Sequence, residues 1–169
     1  GVQTGTATLA LFTNAVNGSG LAQQAVAAQT VTITGTVWNP AAANVLSGSV
    51  GLGSVIKGAS FGSFSQALSI TNTAPGGFSE KLDASFGTLT GVTTNSGSIS
   101  LLDPGATNGS SLVVGFDTST AGAKSGTAEI RFSTNGAGTS GLGTAPLATQ
   151  TVNSVSYTHL RAHETEADI

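Results

Sequence analysis

Cysteine and methionine are both missing from the 169 residues. Without cysteine there is no disulfide, no thiolate metal site and no thiol nucleophile, so stability has to come from packing. Starting at Gly1 with no methionine anywhere, the chain is expected to be an internal fragment, and its lack of a signal peptide carries no information about secretion. Charge is equally scarce, at 8% of residues, and the five Lys plus Arg are scattered singly. Neither a nucleic acid nor an anionic membrane surface finds an electrostatic footprint here, so no nucleic-acid partner is expected. No apolar run is long enough to span a bilayer, so no membrane insertion is expected within this chain.

What the chain does contain is apolar residues at 38% and 24 glycines, set among Ser, Thr, Ala and Asn. Disordered chains lack that apolar share, so the mixture points to short strands and tight turns around a core. Residues 1–31 also align without gaps onto 122–152, an offset of 121, with thirteen identical positions. Gly5, Thr6, Ala7, Thr13 and Asn14 match Gly126, Thr127, Ala128, Thr134 and Asn135; Gln29, Thr30 and Val31 match Gln150, Thr151 and Val152. Each copy is read as ending in two strands joined by a long glycine-rich connection.

Period-2 alternation predicts strands over 5–13, 29–38, 66–73, 79–86, 97–101, 110–117 and 126–134. Their expected inward residues are Val31, Ile33 and Val37; Leu68 and Ile70; Leu82, Ala84 and Phe86; Ile99 and Leu101; Leu112, Val114 and Phe116; and Ala128, Ile130 and Phe132. Apolar inside with Ser and Thr outside is what two packed sheets require. Turns are expected at Asn17-Gly18, Pro75-Gly76-Gly77, Asn95-Ser96-Gly97, Asp103-Pro104-Gly105, Asn108-Gly109 and Asn135-Gly136. The predicted fold is all-β: an immunoglobulin-like antiparallel β-sandwich of about seven strands over 39–153, preceded over 1–38 by the last strands of a preceding copy. Asn39-Pro40 is the expected link.

After Asn153 the alternation breaks, and residues 154–169 bring both histidines and the only tyrosine. The run from Val155 to Thr165 resembles a peptide that recurs at the ends of truncated metagenomic reading frames, where adapter sequence has been translated. Residues 154–169 are therefore read as a non-native tail. The second copy would then lack half of its last strand, and residues 29–38 are expected to fill the vacated sheet edge.

Residues 62–73, GSFSQALSITNT, and 111–130, SLVVGFDTSTAGAKSGTAEI, resemble the choice-of-anchor D repeats of bacterial surface proteins, relatives of Hydin-type immunoglobulin-like domains. The Gln150-Thr151-Val152 strand adds to the likeness, which covers about residues 1–153. The resemblance implies an extracellular, cell-surface module without catalysis or cofactor. Its partners would be neighbouring repeats of the same polypeptide, with other surface proteins or glycans as further candidates, and it implies no particular ligand.

The residues offer few competing chemistries. His159 and His163 stand one helical turn apart, a zinc-like spacing, but inside the adapter-like tail. With no other histidine, a Ser-His-Asp arrangement cannot be assembled from the remaining chain. The carboxylates before the tail are Glu80, Asp83, Asp103, Asp117 and Glu129, for which solvated surface charge is the favoured reading over a glycosidase pair or a calcium loop. Residues 136–141, GAGTSG, spell a phosphate loop, yet Gly143 and Pro146 follow where a helix is needed. Asn17 and Asn108 spell glycosylation sites and are read as turns. Trp38 is read as packed at the joint between copies rather than as a glycan platform. No catalytic, cofactor-binding or metal-binding residue is assigned. The favoured function is a spacer or adhesive repeat; a carbohydrate-binding module and an appendage of a secreted enzyme are the alternatives.

Overall fold

A computed structural model describes residues 1–14, 18–44, 46 and 48–156. The chain divides into two compact units, Gly1–Trp38 and Asn39–Ile169. No described helix is long and apolar enough to cross a membrane.

The first unit is one long antiparallel hairpin. β1 (Val2–Thr13) pairs with β2 (Gln24–Thr36) from Val2↔Thr36 to Thr13↔Gln24. Between Leu9↔Gln29 and Leu11↔Val26 the register slips by one residue, because β2 carries a bulge there.

The second unit is a β-sandwich built from β3 (Ser49–Gly51), β4 (Ser65–Ala67), β5 (Ile70–Thr71), β6 (Lys81–Thr90), β7 (Thr93–Thr94), β8 (Ser98–Leu102), β9 (Thr107–Asn108), β10 (Val113–Gly115), β11 (Lys124–Asn135), β12 (Thr144–Pro146) and β13 (Gln150–Ser156). One sheet runs in the order β3-β13-β11-β6-β8, with β12 also on β11; another runs β4-β10-β7, and β5 pairs with β9. The core lies between them. Leu68, Ile70, Leu112 and Val114 come from one side, and Leu82, Ala84, Ile99, Ala128, Ile130, Phe132 and Val152 from the other. Each large side chain buried this way contributes about 1.5–3 kcal/mol of transfer free energy. On the outer faces, Ser and Thr alternate with these residues, so each sheet keeps one dry side.

Turn chemistry behaves as its residues dictate. In Asp103-Pro104-Gly105-Ala106 the Ala106 N–H donates to the Asp103 carbonyl (3.0 Å), proline presets the second position and Gly105 takes φ 79°, a type II turn. At Asn95-Ser96-Gly97 the Asn95 side chain accepts from the Gly97 N–H, while Ser96 itself sits at φ 54°.

Several expectations are overturned. Val31, Ile33 and Val37 are 55%, 62% and 60% exposed, because no layer covers them in the first unit. Residues 29–38 do not fill an edge of the second sheet: among the described residues β2 pairs with β1 alone, and the edge of β13 is occupied by β3, in parallel register from Asn153↔Ser49 to Val155↔Gly51. Nor does the last strand stop at Asn153. β13 runs through Ser156, pairing Ser154, Val155 and Ser156 with Gly126, Ser125 and Lys124, and Ser154 and Ser156 are buried. Their small side chains fit the inward positions that an apolar alternation would fill. Residues 66–73 form two short strands instead of one, since the chain leaves β10 after Ala67 and joins β9 at Ile70. Leu101 points outward. A register shift between Leu82 and Ala84 brings Leu102 opposite Leu82, and Leu101 is left 41% exposed at φ 55°.

Candidate functional site

Each of the five carboxylates before the tail has polar partners of its own. Asp83 accepts from the Leu101 N–H (2.7 Å) and from Asn135 Nδ2 (2.6 Å), which anchors the bulge beside β8. Asp103 pairs with Lys81 at 2.8 Å, and Glu129 pairs with Arg131 at 2.6 Å, both at the surface, where such pairs contribute little. Asp117 accepts from the Ser119 hydroxyl and from the Ser119 N–H (3.0 Å). These two bonds, in that order, with the charge of Lys124 behind them, hold its carboxyl below the usual range. Among the described residues, no group of three or more His, Cys, Asp or Glu is placed to hold a metal ion. His159, His163 and Tyr157, with the rest of the tail after Ser156, lie outside the described residues, as does Asn17.

Glu80 departs from the surface-charge expectation. Only 6% exposed, it accepts from Thr134 Oγ1 (2.6 Å) and from the Ser140 hydroxyl, and Thr134 Oγ1 in turn accepts from the Ala41 N–H (2.9 Å). Two hydroxyls aimed at one carboxylate satisfy a buried charge that the surface-charge reading places outside. The sequence signal was available: Glu80 has the parity of Leu82 and Ala84. The bond from Ser140 also ties residues 136–141 down. There the Gly136 N–H donates to the Gly143 carbonyl (2.8 Å) and the chain enters β12, so the phosphate-loop spelling belongs to a closed turn leading into a strand.

A second polar centre is structural. Asn72 is fully buried, and its side chain makes four hydrogen bonds. Oδ1 accepts from the Ala42 and Ala74 N–H groups (both 3.2 Å); Nδ2 donates to the carbonyls of Glu80 (3.1 Å) and Leu102 (3.0 Å). Every donor and acceptor site of the amide is used, which is what makes its burial tolerable. Asn108 is occupied too, accepting from the Ser110 and Ser111 N–H groups and donating to the Ser111 hydroxyl.

The most unusual surface is the hairpin. Cross-strand partners share a face. One face carries Thr4↔Thr34, Thr6↔Thr32 and Thr8↔Thr30; the opposite face carries Gly5↔Ile33, Ala7↔Val31, Leu9↔Gln29 and Leu11↔Val26. Apolar side chains thus collect on one side, and Leu9, Val26, Val31 and Ile33 are 46–62% exposed there. These side chains make a continuous exposed apolar face.

Its counterpart is known from the second unit. Ala128↔Val152, Ile130↔Gln150 and Ser133↔Pro146 are the pairs Ala7↔Val31, Leu9↔Gln29 and Phe12↔Ala25 displaced by 121 residues. The bulge repeats as well, in the gap between β12 and β13, where the Leu147 N–H donates to the Phe132 carbonyl as Leu11 faces Val26. The repeat read in the sequence is therefore a repeat of register. In the second unit the corresponding face, Ala128, Ile130, Phe132 and Val152, is 0–3% exposed.

No family model and no curated protein matches this chain. The site is thus read from its own residues. A groove of about 310 Å³ between β3 and β4, lined by Asn44, Leu46, Val50, Gln66 and Leu68 among others, carries no charged side chain. Among the described residues the exposed aromatics are Phe12 in the first unit and Phe78 in the second. Trp38, half-buried, closes the first unit.

Proposed function

We propose that this chain is a non-catalytic structural or adhesive repeat of a secreted, cell-surface-anchored bacterial protein, of the choice-of-anchor D kind that its sequence resembles. The observation that carries the reading is the hairpin repeated pair for pair at an offset of 121. Hairpins of the same register recurring along one chain are the mark of tandem modules. A Ser- and Thr-rich chain in which 8% of residues are charged supports a role in extension or contact rather than in chemistry.

The chain is tested by passing it over insoluble polysaccharides, among them cellulose, chitin and peptidoglycan, and by linking one, two and three copies and measuring length by small-angle scattering. A spacer is expected to pass through unretained and to lengthen by a constant step per copy. Saturable retention on one glycan would refute the spacer reading in favour of a carbohydrate-binding module.

A further inference from the structure

We propose that the apolar face and the outer edge of β1–β2 form a docking surface for a half-sandwich of the kind made here by residues 39–121, one with no terminal hairpin of its own. This rests on the repeat reading above and adds the partner. The first observation is correspondence. Ala7, Leu9, Leu11 and Val31 occupy the register positions of Ala128, Ile130, Phe132 and Val152, which are sealed in the second unit against the strands of residues 39–121. At the position of buried Ser154 the hairpin carries Ile33, a residue still better suited to a dry layer.

The second observation is independent of hydrophobicity. A Cβ on Gly126 would lie 2.2 Å from the Thr90 carbonyl oxygen, because β6 runs alongside β11; glycine is required there by the neighbouring strand. Gly5 holds the same position in β1, and a Cβ on it would meet nothing within 4 Å. The hairpin thus carries the glycine that a β6-like neighbour demands, on an edge where, among the described residues, no strand pairs. A second copy of this chain is a poor occupant. Its own β11 and β13 already fill the place, and two hairpins meeting face to face would leave both edges open and Gly5 without a reason.

The test adds a copy of residues 39–121 in front of the full chain. The junction Ala121-Gly1 reproduces the native Ala121-Gly122. Amide hydrogen exchange of β1 and β2 is compared with and without the added segment. Docking is expected to slow exchange in β1 and β2 by about 100-fold or more, toward the rates of β11 and β13, and to protect the added segment as well. In the extended chain, Leu9→Asp with Ile33→Asp is expected to abolish both effects while protection across 39–156 stays unchanged. An unprotected hairpin and added segment beside an intact 39–156 unit would overturn the proposal. So would hairpin protection that grows with concentration in the unextended chain, which would make a second copy the occupant. Glycan retention, by contrast, would sink the spacer reading and leave these rates unmoved.

Discussion

Replacing Asn72 with alanine removes one buried side chain and strands four backbone groups. Two of them, the Ala74 N–H and the Glu80 carbonyl, sit in buried contacts with the amide at 3.2 and 3.1 Å; the Ala42 N–H and Leu102 carbonyl are only part-buried, so water can reach them. A buried group left unpaired costs about 1–3 kcal/mol, and a solvated one little. Counting the two buried groups at mid-range gives a loss of about 4 kcal/mol, a large share of the roughly 5–15 kcal/mol that holds a domain together. Urea unfolding followed by far-UV circular dichroism, beside the exposed control Thr88→Ala, measures it. A loss under about 1 kcal/mol, or one equal to the control, would refute the claim that this amide ties the segments together. Asn72→Asp sharpens the test. The carboxylate keeps an acceptor for the two N–H groups but turns its second oxygen on the carbonyls of Glu80 and Leu102, so its folded pKa must lie above the unfolded value of about 3.9. The variant is therefore expected to be nearer wild type at about pH 3, where the acid can donate, and to lose stability as pH rises through the folded pKa.

Three further outcomes are expected. Ser154 is 1% exposed and its hydroxyl has no hydrogen-bond partner, so Ser154→Ala is expected to stabilise the second unit by about 1 kcal/mol in the same urea assay; destabilisation would show that the hydroxyl is satisfied. Leu101 holds φ 55°, where a Cβ is crowded, and Leu101→Gly is expected to raise stability by up to about 1 kcal/mol, whereas a drop in melting temperature would show that its packing outweighs the strain. Ser119→Ala removes the main cause of the low Asp117 pKa, so carbon-detected NMR titration is expected to show that pKa rising toward the ordinary value; an unchanged midpoint would assign the shift to the Ser119 N–H and Lys124, which the substitution leaves in place. Because the folded pKa is depressed, any stability Asp117 contributes is present above its unfolded pKa and is lost as pH falls through the folded one.

Alternation and turn chemistry were legible in the residues themselves. Leu112-Val114-Phe116 and Ala128-Ile130-Phe132 are buried as their period requires, and Asp103-Pro104-Gly105 turns where proline and glycine dictate. These are local properties, set by side-chain direction along one strand and by the φ each residue tolerates. The repeat was legible too, down to a register that the two hairpins share.

Tertiary structure decided what alternation cannot: whether a face that could be dry has anything to dry it. Val31 and Val152 stand at the same place in the same hairpin, the first 55% exposed and the second 0%, and only the second has sheets packed on it. Strands of two or three residues, such as β3 and β7, carry no period to read and exist because a partner edge accepts their backbone. The bulge that turns Leu101 outward and the hydroxyls that bury Glu80 likewise come from neighbours distant in sequence. Sequence determined which side chains could share a face; packing across that face determined which of them left the water.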